Sequence, residues 1–248
     1  MKVFLHEPTF EGLLSAIYEA YYSSVKPDKI YSKIVYEQNL IDEVIIIKSD
    51  SIKFEKVYNA IKNKISKESL NKIYYVFLSE LKESSNMIYL YVRMGFKLGK
   101  NIDLHKNNDI VLDMDKISKK VYYEEHRFTG FVRFKEINNI LYAAINPDFN
   151  ILPILAGHFK NRLSNEYFII HDIKRDIAIV YDKKDYYLSS LSNEQKNILM
   201  NTDDKGEYEN LWKQYFHSVN IEERKNPRLQ KRMMPSRYWE NMVEVNNK

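Results

Sequence analysis

The sequence predicts an α+β protein built on an antiparallel sheet, and three observations predict it. Four strand-like runs, Phe128–Phe134, Ile140–Ile145, Glu166–Asp172 and Asp176–Tyr181, flank one helical stretch from Pro147 to about Leu163. That gives the order strand-strand-helix-strand-strand, which fits an antiparallel sheet with helices on one side. The parts before and after this block read mainly as helix. Finally, 44% hydrophobic and 14% aromatic residues in a 248-residue chain supply a substantial core, enough for one large domain or two small packed ones.

The elements follow in chain order. Val3–His6 reads as a short strand, and Thr9 caps a helix whose Leu13, Leu14, Ile17, Tyr18 and Tyr21 recur at helical spacing. Val44–Ile47 is β-branched and too short to prefer a helix. Asp50 or Ser51 caps the next helix, with Phe54, Val57, Tyr58, Ile61 and Ile65 on one stripe. Further helices are expected over about Lys67–Glu83, Ser85–Leu98 and Val111–Val121, with a polar loop at Asn101–Asp109. Gly95 and Gly99 stand near the end of the second of these, where glycine readily takes a left-handed conformation. The turn Glu136–Asn139 joins the first strand pair, and Lys174-Arg175 turns the second. The last third reads as helices over about Ser192–Met200, Tyr208–Ser218 and Leu229–Met242. Two parts are expected: an N-terminal α/β-rich part over residues 1–85, and a main domain over 86–248. The sequence carries no internal repeat and no low-complexity segment.

Several chemistries are excluded or lack their signature. With no cysteine, the chain can form no disulfide, thiolate nucleophile, zinc–cysteine site or cysteine-ligated iron–sulfur cluster. No run approaches 18 uninterrupted apolar residues, so no membrane span is expected. The start, Met1 to Pro8, lacks the long apolar region of a secretory signal, and a cytoplasmic location is expected. There is no phosphate loop, dinucleotide fingerprint, Gly-x-Ser-x-Gly elbow or kinase signature. No cofactor is expected, and no His-Glu-x-x-His spacing marks a metal site.

Charge is distributed unevenly. The net charge is +4, but Arg224, Lys225, Arg228, Lys231, Arg232 and Arg237 fall in one acid-free segment that ends in Tyr238-Trp239. Such a segment meets a polyanion through salt-dependent phosphate contacts. The other readings are contact with an acidic protein partner and a solvated basic face pinned to the domain by Met234, Tyr238 and Trp239. On the expected strand at 127–134, Arg127, Thr129, Phe131 and Arg133 share a face able to stack a base and neutralise phosphate. The octamer Arg127–Phe134 matches the RNA-recognition strand signature at its basic first position, Gly130, Phe131, Val132 and Phe134, and departs from it at Phe128 and Thr129. The alternative is an amphipathic strand with a half-buried arginine face.

A polar set is the candidate for catalysis: Glu125, His126, His158, Arg162 and Asp172, with Asp148, His171 and Arg175 nearby in sequence. His158 and Arg162 share a helix face. A histidine with a carboxylate partner suits acid–base work near neutral pH. A divalent-metal site made by the histidines and an Asp, and structural hydrogen bonding, are the competing readings. On the helix near 211–216, Leu211, Trp212, Tyr215 and Phe216 share a face and read as core.

Several pieces occur in one order: Thr9-Phe10-Glu11-Gly12-Leu13-Leu14, Glu125-His126-Arg127, Gly130-Phe131-x-Arg133-Phe134, Pro147-Asp148 and Leu152-Pro153-x-Leu155-Ala156-x-His158-Phe159. They continue with Ile170-His171-Asp172, Leu211-Trp212-x-x-Tyr215-Phe216, Asn226-Pro227-x-Leu229-Gln230 and Met234-Pro235-x-Arg237-Tyr238-Trp239. Together they resemble a bacterial family described as probable DNA metabolism proteins, whose main domain, here about Asn86 to Glu244, is catalogued only by unknown function. The resemblance implies association with a radical-SAM protein of DNA repair or modification, and some relatives are fused to a uracil-DNA-glycosylase-like domain. The lack of cysteine agrees with iron–sulfur chemistry lying in that partner. Three functions are then expected as alternatives: a DNA repair or modification accessory protein that binds DNA through the basic segment and the Arg127/Arg133 face; an enzyme acting on a base or backbone through the polar set; or a non-catalytic scaffold for the radical-SAM partner.

Overall fold

Val3-Phe4-Leu5 is an unbroken apolar run, and the computed structural model, which describes residues 1–201 and 207–245, shows why. β1 (Lys2–His6) is the middle strand of a three-stranded parallel sheet, flanked by β2 (Lys29–Ser32) and β3 (Glu43–Ile47) in the order β2-β1-β3. A strand covered on both faces has no polar side to alternate with. Phe4 joins the main core of this unit, while Val3 and Leu5 pack with Tyr31 and Tyr36 on the other side. β2 escaped the sequence reading because it is only four residues long, two of them polar; it exists through burial of Ile30 and Tyr31 beside β1.

α1 (Phe10–Tyr22) starts where Thr9 accepts the Gly12 N–H at 2.9 Å. Asp50 and Ser66 cap α2 (Ser51–Ala60) and α3 (Lys67–Leu78) in the same way. A π-helical turn, Ile61–Ile65, separates α2 from α3, and α4 (Ser84–Leu98) ends at Gly99, whose φ of +61° suits glycine. The expected loop after it contains a 3₁₀ turn, Gly99–Leu104. The chain forms two compact units, 1–122 and 123–248, and the division falls inside α5 (Asp109–Phe131).

Here the first expectation fails. The segment expected as a strand over 128–134 is helical as far as Phe131. Val121, Glu124, Phe128 and Val132 are all buried, and their three- and four-residue spacing continues the stripe begun by Val111 and Met114. A carboxylate inside that stripe disguised it. Arg127, Thr129, Phe131 and Arg133 therefore share no strand face, and the resemblance to an RNA-recognition strand is a coincidence of composition.

In the second unit, β4 (Lys135–Ile137) and β5 (Ile140–Ile145) form a hairpin whose Asn138 and Asn139 have φ of 50° and 63°, the backbone a two-residue hairpin turn requires. α6 (Leu152–Arg162) then crosses to β6 (Tyr167–Asp172), and β7 (Ile177–Tyr181) and β8 (Tyr186–Ser189) complete the sheet in the order β4-β5-β6-β7-β8. The fold is α+β, but the expected strand-strand-helix-strand-strand antiparallel core does not form as such: its first strand is mostly helix, β4 takes up part of the expected turn, β8 adds a fifth strand, and β5 and β6 run parallel. A full helix between two neighbouring strands carries the chain back to its starting edge, so the next strand repeats the direction of the last.

Phe134, Phe159 and Phe168 meet edge to face in series on the α6 side of the sheet, and Tyr181 stacks on Phe168. The other side is covered too, which corrects the one-sided expectation. There Tyr142 and Ala178 pack with Leu191 and with Leu199 of α7 (Asn193–Asn201). α8 (Glu207–Ser218) and α9 (Pro227–Met233) follow, and then a 3₁₀ turn, Ser236–Asn241. The single helix expected over Leu229–Met242 is thus broken at Pro235, which cannot supply the N–H a continuous helix needs. Among the described residues no helix is long and apolar enough to cross a membrane.

Two predictions follow from the first unit. An added Cβ at Gly12 would lie 2.7 Å from the Glu7 carbonyl oxygen. Gly12→Ala is therefore expected to cost about 1–3 kcal/mol in urea unfolding. His6 is fully buried, with Nδ1 2.5 Å from the Glu7 carbonyl oxygen and Nε2 2.8 Å from Ser85 Oγ. Burial lowers its pKa to about 4, against the opposing Glu7 bond. Its neutral-form stabilisation is complete above the ordinary value of 6.5 and is lost as pH falls toward 4, roughly 3 kcal/mol over that window. His6→Gln should flatten the stability–pH slope between those limits; an unchanged slope would contradict this assignment.

Candidate functional site

The second unit gathers its polar groups around Glu124. This carboxylate is 2% exposed. It accepts the Asp148 and Phe149 backbone N–H groups, both at 2.8 Å, and the Tyr238 hydroxyl at 2.5 Å. Burial raises the Glu124 pKa, while these donors pull it down. Tyr238 is itself buried, lying edge-on to Phe128 with ring centroids 5.0 Å apart. Burial, and then Glu124, push its phenol far above its usual pKa. Arg237 donates to the Tyr238 oxygen at 2.9 Å and pairs with Asp148 at 2.9 Å. Trp239 donates its indole N–H to the Met234 carbonyl at 2.8 Å. The C-terminal segment is thus tied to α5 and to the turn between β5 and α6.

Arg133 is also engaged. Its Nε and Nη2 meet Glu244, Nη2 at 2.5 Å; Nη1 donates to the Gly130 carbonyl at 2.7 Å, and the guanidinium lies 4.9 Å from the Trp212 ring centroid. Glu244 is almost fully buried, so its charge requires this partner.

Beside Arg133 lies a cavity of about 720 Å³. Phe134, Tyr142, Phe159 and Trp212 contribute aromatic surface, and Arg133, Lys135 and Arg162 contribute positive charge. Tyr142 is buried, its phenol held up at about 12 by that burial and 3.1 Å from His171 Nδ1. The size and mixed lining are those of a small-molecule site.

Of the five residues proposed for catalysis, Arg162 alone lines this cavity. Glu125 is half-buried on α5, its pKa raised by burial and lowered by His126, which is exposed. His158 sits on α6 against the Phe159 ring, with Nε2 buried and, among the described residues, without a hydrogen-bond partner. Asp172 is fully buried and bound to Arg175 at 2.9 Å; burial raises its pKa and Arg175 opposes the shift. His171 points to the opposite side of the sheet, its pKa lowered by burial, with Asp176 at 3.6 Å opposing. Among the described residues no three His, Asp or Glu side chains gather closely enough to hold a metal ion.

The basic segment divides. Arg224, Lys225, Arg228, Lys231 and Arg232 are exposed. Lys225 pairs with Glu222 at 3.6 Å. Arg228, Lys231 and Arg232 lie at i, i+3 and i+4 of α9 and so share one face. Arg237 is ion-paired, and Arg127 is half-buried on α5. Sequence reasoning overlooked Glu124, Tyr142 and Glu244. The sign that could have found Glu124 is its position in phase with Val121 and Phe128.

An α+β unit with a satisfied polar network, an aromatic cavity and an exposed cationic helix is the class of protein these features define. The chain belongs to the family DUF4130, described as a domain of unknown function, whose model matches residues 82–244. No curated protein matches the chain.

Glu124→Ala would strand two backbone N–H groups and the Tyr238 hydroxyl, a loss of about 3 kcal/mol or more. Urea unfolding is expected to register it, with red-shifted Trp239 emission as the tail detaches.

Proposed function

We propose that the chain binds nucleic acid through the face of α9, as an accessory protein of DNA repair or modification. One observation carries the reading. Among the described residues, no ion pair or side-chain hydrogen bond engages Arg224, Arg228, Lys231 or Arg232, although Arg237, a short way along the chain, and Arg133 are both paired. Exposed cations on one helix face cost nothing to desolvate internally and remain available to phosphate. Arg133 and Arg237 drop out of the contact set, because meeting phosphate would strip partners from Glu244 and Asp148. The motif resemblance supports DNA as the polyanion. It also supports a radical-SAM partner as the seat of the reaction, since a chain without cysteine cannot hold a cysteine-ligated cluster.

Fluorescence anisotropy with labelled single- and double-stranded DNA across a salt series tests the contact. Each lost phosphate contact lowers the slope of log affinity against log salt by roughly 0.9 for duplex and 0.7 for single strand. The Arg228→Ala, Lys231→Ala, Arg232→Ala triple variant is expected to lose about two to three slope units on duplex. No affinity at low salt, or the same affinity in the triple variant, would sink the proposal.

A further inference from the structure

The cavity beside Arg133 is unassigned by the basic-face reading, and its lining names a ligand class. Its aromatic surface comes from rings held in place by other contacts. Trp212 lies against the Arg133 guanidinium, which Glu244 clamps, and Phe134 meets Phe159 edge-on with centroids 5.4 Å apart. Pre-positioned rings of this kind stack planar aromatic groups with little ordering cost.

The charges in the lining differ in availability. Arg133 is neutralised by Glu244, and Lys135 donates to the Met200 carbonyl at 3.2 Å and lies over the Tyr142 ring. Glu240 meets the Asn146 side-chain amide at 3.1 Å. Arg162 is different: it is exposed at the end of α6, and among the described residues no ion pair or hydrogen bond occupies its guanidinium. A rigid aromatic wall with one uncommitted fork of N–H donors suits a planar ring that carries a phosphate.

Chain connectivity links this cavity to α9. Trp212 of α8 lies before the basic helix and Asn241 after it, and both line the cavity. The basic helix therefore belongs to an excursion that begins and ends at the cavity wall.

We infer that the cavity binds a nucleoside monophosphate unit, its base against Trp212 and Phe134 and its phosphate on Arg162. The inference rests on the nucleic-acid reading for the class of ligand. The unit can be a free nucleotide or one nucleotide of a strand held by α9.

Trp212 supplies the signal. Deoxynucleoside 5′-monophosphates, the nucleosides without phosphate, and a short single-stranded oligonucleotide are titrated against tryptophan emission, with Trp212→Phe identifying the responding ring. Saturable quenching by the monophosphates, weaker for nucleosides, supports a free-nucleotide site. Quenching by the oligonucleotide alone supports a strand nucleotide. In either case Arg162→Ala should weaken the quenching interaction about tenfold or more, with Arg162→Lys recovering part of it. Gly130→Leu is a second, independent block: Gly130 lines the cavity, an added Cβ there meets no atom within 4 Å, and the helix gains a better former. Absence of saturable Trp212 quenching by every probe overturns the inference, as does quenching that neither Arg162→Ala nor Gly130→Leu weakens. The α9 triple variant separates the two readings. It should abolish strand affinity by anisotropy and leave monophosphate quenching intact if that form binds. Strand affinity that survives Arg162→Ala and Gly130→Leu without Trp212 quenching would retain the basic-face reading alone.

Discussion

A buried carboxylate with three donors holds the second unit's irregular parts in place. Glu124 projects from α5 into apolar surroundings, where an unpaired charge would be prohibitive. Its two backbone partners, Asp148 and Phe149, fix the turn from β5 into α6, and its third, Tyr238, fixes the C-terminal segment. Without that carboxylate neither segment has a strong reason to adopt its position: the turn is not part of the sheet ladder, and the tail is a short 3₁₀ turn with little intrinsic stability. Asp148 and Arg237 extend the network to the surface, so the tail is held by charge-assisted bonds as well as by Tyr238's burial against Phe128.

This anchoring explains how the segment can be both structural and free. Residues 234–239 are fastened, whereas 224–232 form an exposed excursion whose cations have little to meet inside the molecule. The same residue type serves opposite ends within one short stretch, and the deciding factor is the nearest carboxylate. Arg237 has Asp148 and Arg133 has Glu244, while Arg228 and Arg232 have none among the described residues.

The first unit solves a different problem. Its core strand is apolar on both faces, so polar groups at its end must be satisfied locally. His6 does this as a neutral ring between a backbone carbonyl and Ser85, and Glu7 binds the Ser49 hydroxyl and backbone N–H. Gly12 lets the first turn of α1 close onto the Glu7 carbonyl, an approach no side chain at that position allows.

Much of this was legible in the chain. The caps at Thr9, Asp50 and the glycine at 99 follow from local chemistry, which acts within four residues of its cause. The helical period of α1 and α2 follows from burial of one face, and the exposure of the α9 cations follows from the acid-free run in which they sit. What the sequence could not decide is everything that needs a distant partner. A parallel rather than antiparallel pairing of β5 with β6 is set by where α6 returns the chain. The helical state of residues 128–131 is set by continuity with a stripe whose polar member, Glu124, finds its donors 24 and 114 residues away. The catalytic set dispersed for the same reason: neighbours in sequence, such as His171 and Asp172, face opposite sides of a strand, while Trp212, Arg133 and Glu244 come together across the unit. Local propensity acts through bonds along the chain, but burial and pairing act through space, and only the folded molecule brings those groups within reach.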